Sequence, residues 1–476
     1  MARRLFSLTV MLVIFLSSLC YGGTVGATTR EPDIRVALLR GTPAVSFKVT
    51  GEYTVSNAAT GGTVGIPVPG EQWDVRINGA LLQVLRNGIP IGSFTGPIRV
   101  EQASVRLTVA GAGGQVVEKS GTEGFVVLGA GNNMATLGRD ASAYQVLGPG
   151  GQMVALKSGQ LNLVGIQLAN GQWRRYRGNL EIRASDQGLL VINELPLEQY
   201  LLSVVPGEVP AHWPYEVLKA QAVAARSYAL RQIWDGADKA FHVYPTEASQ
   251  MYLGYDGENP ATTRAVEETR GQTLVYAAPG TPSRGGLPGE PVAAFYHSSS
   301  GGFVENAEDV WLKPVPYIKA KEDPYDNNPK HYNWQIYYTV AQLTDSINKR
   351  LARKGSNVQF QVITDLVELE RTATGARVKK MRVEGVGMDG TPLPPQILAN
   401  ADEVRIALGL KSALFTMQKE FDATGRLVGV TFTGSGWGHG LGMSQYGARG
   451  MAEQGHTYDQ ILQYYYTGTV LAPAYT

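Results

Sequence analysis

Residues 197–230, LEQYLLSVVPGEVPAHWPYEVLKAQAVAARSYAL, place the tightest constraint on how this chain can fold. An apolar segment ends at Pro206-Gly207, a single carboxylate follows at Glu208, and Pro210, Trp213 and Pro214 stiffen the path beyond it. A helix is predicted from about Pro214, because proline suits a first turn where its missing N–H would be unpaired anyway. Glu216, in that same turn, faces the positive end of the helix dipole. Gln221 and Tyr228 share one helical stripe with Val217 and Ala224. Leu218, Ala222, Ala225 and Ala229 make a second stripe, whose small side chains permit close packing. The stretch predicts a rigid corner bearing one acid, beside a helix that carries polar groups inward.

The 476-residue chain has room for two or three domains. Its 57 glycines and 25 prolines follow no period, which points to a β-rich fold with many turns. A formal net charge of +1 argues against a nucleic-acid partner. At the N-terminus, Arg3 and Arg4 precede an apolar run from Leu5 to Leu19, and Val25-Gly26-Ala27 offers a small-residue cleavage site. Residues 1–27 are therefore expected to be a cleaved export signal, with an apolar run too short for a comfortable membrane span. The only cysteine, Cys20, lies inside it, and Leu19 is unlike the small residue that precedes a lipidated cysteine. A mature chain without cysteine has no disulfide and no thiolate metal site. The expected location is the periplasm or cell envelope.

Residues 28–172 are predicted to be a β-rich accessory region. IRVALLR (34–40), SFKVTGEYTV (46–55), WDVRINGALLQVLR (73–86) and PIRVEQASVRLTVAG (97–111) are β-branched runs broken by turn residues, and 112–160 continue in that vein. Asn78-Gly79 and Asn87-Gly88 are hairpin signals. Residues 173–201 read as hairpin strands, in which Arg174, Arg175 and Arg177 alternate with aromatics, as on a solvated strand edge or, alternatively, at a site for a sugar or anionic ligand. Beyond the Ala-rich helix, 249–258 read as a strand and turn, 261–271 as a short helix stopped by Gly271, and 292–302 as a strand delivering His297 and three serines to a Gly-Gly turn. Helices are predicted at 339–354 and 401–412, with strands over 358–398. Glycine recurs at 434, 436, 438, 440 and 442, so a strand there would set all five on one face and Ser435, Trp437, His439, Leu441 and Met443 on the other. Bare glycines let a backbone or ligand come close. Thr457 and Gln460 form a capping box for the last helix.

None of the six histidines stands in a HExxH arrangement or at convincing zinc-ligand spacing. Ser298–Ser300 are not set in a GxSxG elbow, and the glycine runs match no phosphate loop. Glu208 is left as the leading chemical group. If Val204, Val205, Pro206, Val209 and Pro210 enclose it, desolvation favours the neutral carboxyl, as a general acid near neutral pH requires. The alternative is that Glu208 caps the following turn or pairs with Arg226.

The stretch NELPLEQYLLSVVPGEVPAHWPYEVLKAQAVAARSYAL closely resembles the core of the SpoIID/LytB family, the sporulation stage II protein D and amidase-enhancer group. The resemblance continues in order through SQMYLGY, AVEETRGQTLVY, AFYHSSSGG, DVWL (309–312), ALGLKSALF, GWGHGLGMSQYGA and YDQILQYYYTGTVL, covering roughly 173–471. It implies an α+β protein: β-rich N-terminal modules, then a mixed SpoIID-like domain over 173–476 whose sheets are flanked by helices. It also implies action on peptidoglycan glycan strands. Members of the sporulation branch are lytic transglycosylases that cut between N-acetylmuramic acid and N-acetylglucosamine, and Glu208 occupies the position of their catalytic acid. One carboxyl group suffices there, because the sugar's own 6-hydroxyl replaces the water or second carboxylate of ordinary glycosidases. The remaining motif residues are then expected to bind glycan: Gln221, Tyr228, Gln250, Tyr252, His297, Ser298, Ser300, Trp437, His439, Ser444, Gln445 and Tyr446, with Trp437 or Tyr446 stacking on a sugar. Some relatives carry a Cys/His metal cluster near the HSxSGG segment. Here Phe303, Glu308 and Asp309 stand nearby without a cysteine, so no metal or other cofactor is expected. The other branch of the family implies a different role, a non-catalytic wall-binding enhancer of a separate amidase.

Overall fold

The computed structural model describes residues 30–102, 161–278, 287, 289–311, 313–327 and 330–475, together with the backbone of short strands within 11–14 and 105–155. Cys20 and the rest of the expected export segment beyond that 11–14 backbone, and the side chains of 103–160, lie outside the described residues.

Two compact units emerge. One comprises Met1–Thr28, Pro32–Ser203 and Asp238–Gly257; the other comprises Thr29–Glu31, Val204–Ala237 and Glu258–Thr476. In the first unit, two six-stranded antiparallel sheets account for the alternating sequence. Tyr53–Asn57, for example, buries every second residue, so one face supplies the core and the other meets solvent. The two-residue turn at Asn87-Gly88 has φ of 50° and 79°, the positive values that a type I′ hairpin needs. Strands Asn179–Ser185 and Gly188–Pro196 form the expected hairpin and pair on either side with Ile98–Gln102 and Asp33–Thr42. They are thus built into a sheet with strands from the N-terminal region. The 249–258 stretch, expected to begin as a strand, is irregular and ends in a 3-10 turn at Tyr255–Gly257. Side chains hold it instead: Tyr252 stacks between Tyr200 and Tyr176 at 5.0 and 5.6 Å.

The helices in chain order are α1 (Leu197–Glu208), α2 (Tyr215–Asp235), α3 (Pro260–Glu268), α4 (Ala307–Trp311), α5 (Val340–Arg353), α6 (Ala401–Leu408), α7 (Gln445–Glu453) and α8 (Tyr458–Tyr465). The division between units falls within α1, after Ser203. In the second unit α2 is central, packing against α3, α7, α8 and strand Gln272–Tyr276. Its buried Ala220, Ala222, Ala224, Ala225 and Ala229 leave room for neighbours on several sides. Arg226, also buried, donates to the carbonyls of Val266 at 3.2 Å and Gln272 at 3.1 Å. A second core forms where α5 and α6 cover two three-stranded sheets, with Leu343, Ile347, Met381, Val404 and Phe432 among its members. Thr339 and Gln342 cap α5 reciprocally. The fold is α+β, as the sequence implied.

One expectation fails here. The glycine-alternating segment is not a strand: strand Leu427–Gly434 ends where the series begins. Gly436, Gly438, Gly440 and Gly442 have φ of 83°, 115°, 85° and 65°, so each glycine turns the chain where an extended backbone would run straight.

Candidate active site

Glu208 is the last residue of α1, two positions after a proline inside the helix. Val204, Val205 and Val209 around it are buried, while Glu208 itself is half-buried, so the corner is apolar but does not enclose its acid. The chain then turns, the Trp213 N–H donating to the Pro210 carbonyl at 3.0 Å, and α2 starts after Pro214. Glu216 has a further job beyond its helix dipole. Its carboxylate accepts from the Tyr458 N–H at 2.8 Å and pairs with Lys219 at 2.5 Å, tying α8 to the start of α2.

From this corner a row of rings leads away. Trp213 meets Tyr446 at 4.9 Å, Tyr446 meets His331 at 5.1 Å, and His331 meets Trp437 at 4.8 Å. Cations cover both ends, Arg449 over Trp213 at 5.5 Å and Lys411 over Trp437 at 5.4 Å. Trp437 is 45% exposed, unusual for an indole in a folded domain.

The SSSGG turn and the glycine series form one body, packed backbone to backbone. Ser299 and Trp437 exchange N–H donations at 3.0 and 2.8 Å, and the Tyr446 N–H donates to the Ser298 carbonyl at 3.0 Å. A Cβ on Gly301 would lie 2.6 Å from the Gly436 nitrogen, one on Gly438 2.8 Å from the His297 Cβ, and one on Gly442 2.0 Å from the Phe295 carbonyl oxygen. The glycines are thus required by close approach as well as by φ.

Asp326, absent from the sequence expectations, clamps this body. Its Oδ2 accepts from the Ser300 N–H, from the Ser300 and Ser444 hydroxyls at 3.0 and 2.9 Å, and from the Gly301 N–H at 3.4 Å. Below lies a fully buried ion pair, Arg377 with Glu305 at 3.1 Å. Arg377 also donates to the carbonyls of Ser300 and Phe303, at 2.7 Å each. The stretch that supplies Asp326 reads only as polar and turn-rich, and its role appears once distant segments meet.

The expected glycan binders divide by burial. Trp437 is well exposed, and Tyr228, Ser298, His439 and Tyr446 are half-buried. Ser300 and Ser444 are fully buried with their hydroxyls engaged by Asp326, so they set the loop and have no surface for a sugar. Gln221 and Gln445 are buried as well, Gln445 donating to Gln221 at 3.4 Å. Gln250 and Tyr252 are buried in the first unit, where Tyr200 donates to Gln250 at 3.1 Å and Tyr252 donates to Asn193 at 2.8 Å. Their side chains likewise serve the fold.

His297 and His439 stand 5.4 Å apart, and His439 stacks near Trp311 at 5.0 Å. The Leu441 N–H donates to Nδ1 of His439 at 3.0 Å, so that nitrogen carries no proton. Nδ1 of His297 lies 3.0 Å from the Leu441 carbonyl and must donate to it, leaving Nε2 as an acceptor. Burial pushes the pKa of His439 down to about 4, and burial with the neighbouring His439 holds His297 well below the usual histidine range. Both rings are neutral at pH 7. Among the described residues no three His, Asp or Glu side chains gather into a metal-holding group.

The stretch that carries this corner lies within a known family. A model of the Stage II sporulation protein family matches residues 185–276, and a model of a domain of unknown function matches residues 306–442. Stage II sporulation protein D of Bacillus subtilis (strain 168) is 31% identical over 298 residues, spanning 60% of this chain and 76% of that protein. Its counterpart in Bacillus amyloliquefaciens is 28% identical over the same shares of both chains. The amidase enhancer of Bacillus subtilis (strain 168) is 33% identical over 309 residues, which is 57% of this chain and 40% of the enhancer. The chain belongs to the SpoIID/LytB family.

Proposed function

We propose that the protein is a peptidoglycan lytic transglycosylase of the cell envelope, with Glu208 as its single general acid and base. The observation that carries this is the setting of Glu208: a half-buried carboxylate at the end of α1, on an apolar corner from which Trp213 opens a row of aromatic rings. Protonated, Glu208 gives its proton to the oxygen linking N-acetylmuramic acid to N-acetylglucosamine, and that bond breaks. The 6-hydroxyl of the muramic acid then attacks its own C1, forming a 1,6-anhydro ring, and returns its proton to the Glu208 carboxylate. No water is consumed, so no second carboxylate is needed to activate one. Digestion of purified peptidoglycan, followed by mass spectrometry, tests this: anhydro-muropeptides are expected from the mature protein and not from Glu208→Gln.

A second reading has its own support. The 33% identity with a protein named amidase enhancer favours a partner role, in which the aromatic row grips glycan while a separate amidase does the chemistry. Wall binding with no product of any kind, together with stimulation of an added amidase, is the result that favours it.

A further inference from the structure

His331 stands between Tyr446 and Trp437, nearly perpendicular to the indole at 88°, and the chemistry of Glu208 leaves it unused. Its backbone is pinned to the glycine series, because the Gly436 N–H donates to the His331 carbonyl at 2.9 Å. The Gly436 carbonyl in turn accepts from the Trp334 indole at 3.0 Å. The histidine therefore keeps its place beside Trp437, one residue beyond Gly436.

The side chain is 4% exposed, and its Nδ1 is buried with no hydrogen-bond partner among the described residues. A buried N–H without an acceptor is rarer and costlier than an under-used lone pair. The ring proton is therefore assigned to Nε2. Burial, and then Lys330 and Lys411, keep the imidazole below the usual histidine range, so it is neutral at pH 7 and offers one donor. Nε2 is not among the buried, unpartnered atoms, and no bond within the described residues engages it. What lies alongside is the exposed indole of Trp437, an apolar plane with a polar rim, of the kind that recognises ligands with one greasy and one hydroxylated face.

We infer that Trp437 and His331 form a single sugar subsite, in which an N-acetylhexosamine lies against the indole and one of its acetamido or hydroxyl oxygens accepts from His331 Nε2. The inference rests on the glycan reading of the site and adds a specificity-determining residue to it. A histidine that merely filled space between two rings would tolerate any aromatic replacement.

Titration of full-length Glu208→Gln protein with chitotetraose, a β-1,4-linked N-acetylglucosamine tetramer, by calorimetry measures binding without turnover. His331→Phe keeps the ring contacts and loses the donor, and should weaken binding about tenfold, the scale of one hydrogen bond. His331→Gln retains an N–H and should recover most of that loss. Trp437→Ala should weaken binding at least as much as His331→Phe. In nitrogen-15 spectra of the Glu208→Gln parent, the His331 Nε2 resonance should move as glycan is added, a readout that stands even if the Phe variant fails to fold. Unchanged affinity in His331→Phe, or an unmoved His331 resonance while the parent binds, would overturn the inference and leave the glycan reading intact. A parent that binds neither chitotetraose nor peptidoglycan would overturn both.

Discussion

Asp323 is fully buried beside Asp326, and Tyr465 donates to its carboxylate at 3.0 Å. Burial first, and the neighbouring Asp326 second, raise its pKa to about 7. A folded pKa above the unfolded value of 3.8 means that the folded state binds the extra proton. This group's stability is then present below about pH 4 and lost as pH rises through 7. Asp323→Asn, a neutral isostere, should gain on the wild type by an amount that grows between pH 4 and 8, to the order of a few kcal/mol. Chemical denaturation across that range is the check, and a difference independent of pH would contradict it. His439 works with the opposite sign. Its folded pKa of about 4 lies below the ordinary 6.5, so its contribution is present above pH 6.5 and lost as pH falls towards 4. In His439→Gln the loss of stability over that interval should shrink, measured the same way. Glu208 was legible as a lone acid among apolar residues and prolines. Asp326 and His331 were not, because nothing local marks them; Asp326 joins Ser300 and Gly301, some 25 residues back, to Ser444 far ahead, and His331 meets Trp437 and Tyr446, more than a hundred residues on.

At the scale of elements, one cap was read directly: Thr457 with Gln460 closes its helix where the sequence placed it, and Thr339 with Gln342 does the same for α5. Those bonds are local, so spacing alone encodes them. The glycine series misled because alternate glycines satisfy two geometries, one face of a strand or a run of positive-φ turns. Only the opposing SSSGG backbone decides between them. Gly442→Ala is expected to cost well over the roughly 1 kcal/mol of left-handed strain, since its Cβ would lie 2.0 Å from a carbonyl oxygen. Gly455→Ala, at φ 90° with nothing within 4 Å, should cost only about that strain. Equal melting temperatures for the two variants would show that close approach is not what the series is for.

Over the whole molecule, the sequence conveyed the α+β class and the β-rich beginning, because alternation and helical stripes are properties of composition along the chain. The division within α1 was not readable, since it depends on which strands pair: 179–185 and 188–196 join a sheet with 33–42 and 98–102. The second unit is held from within by Arg377 and Glu305, which link the turns carrying Ser300, Phe303 and Thr372. Arg377→Leu leaves Glu305 buried and unpaired and should destabilise by about 3–5 kcal/mol. Adding Glu305→Leu should return much of that loss, as denaturation midpoints would show. Mass spectrometry of peptidoglycan digests puts the role of Glu208 to the test. Wild-type protein should release 1,6-anhydro products, and folded Glu208→Gln should release none. Equal release by the two proteins would contradict the assignment of Glu208 as the acid.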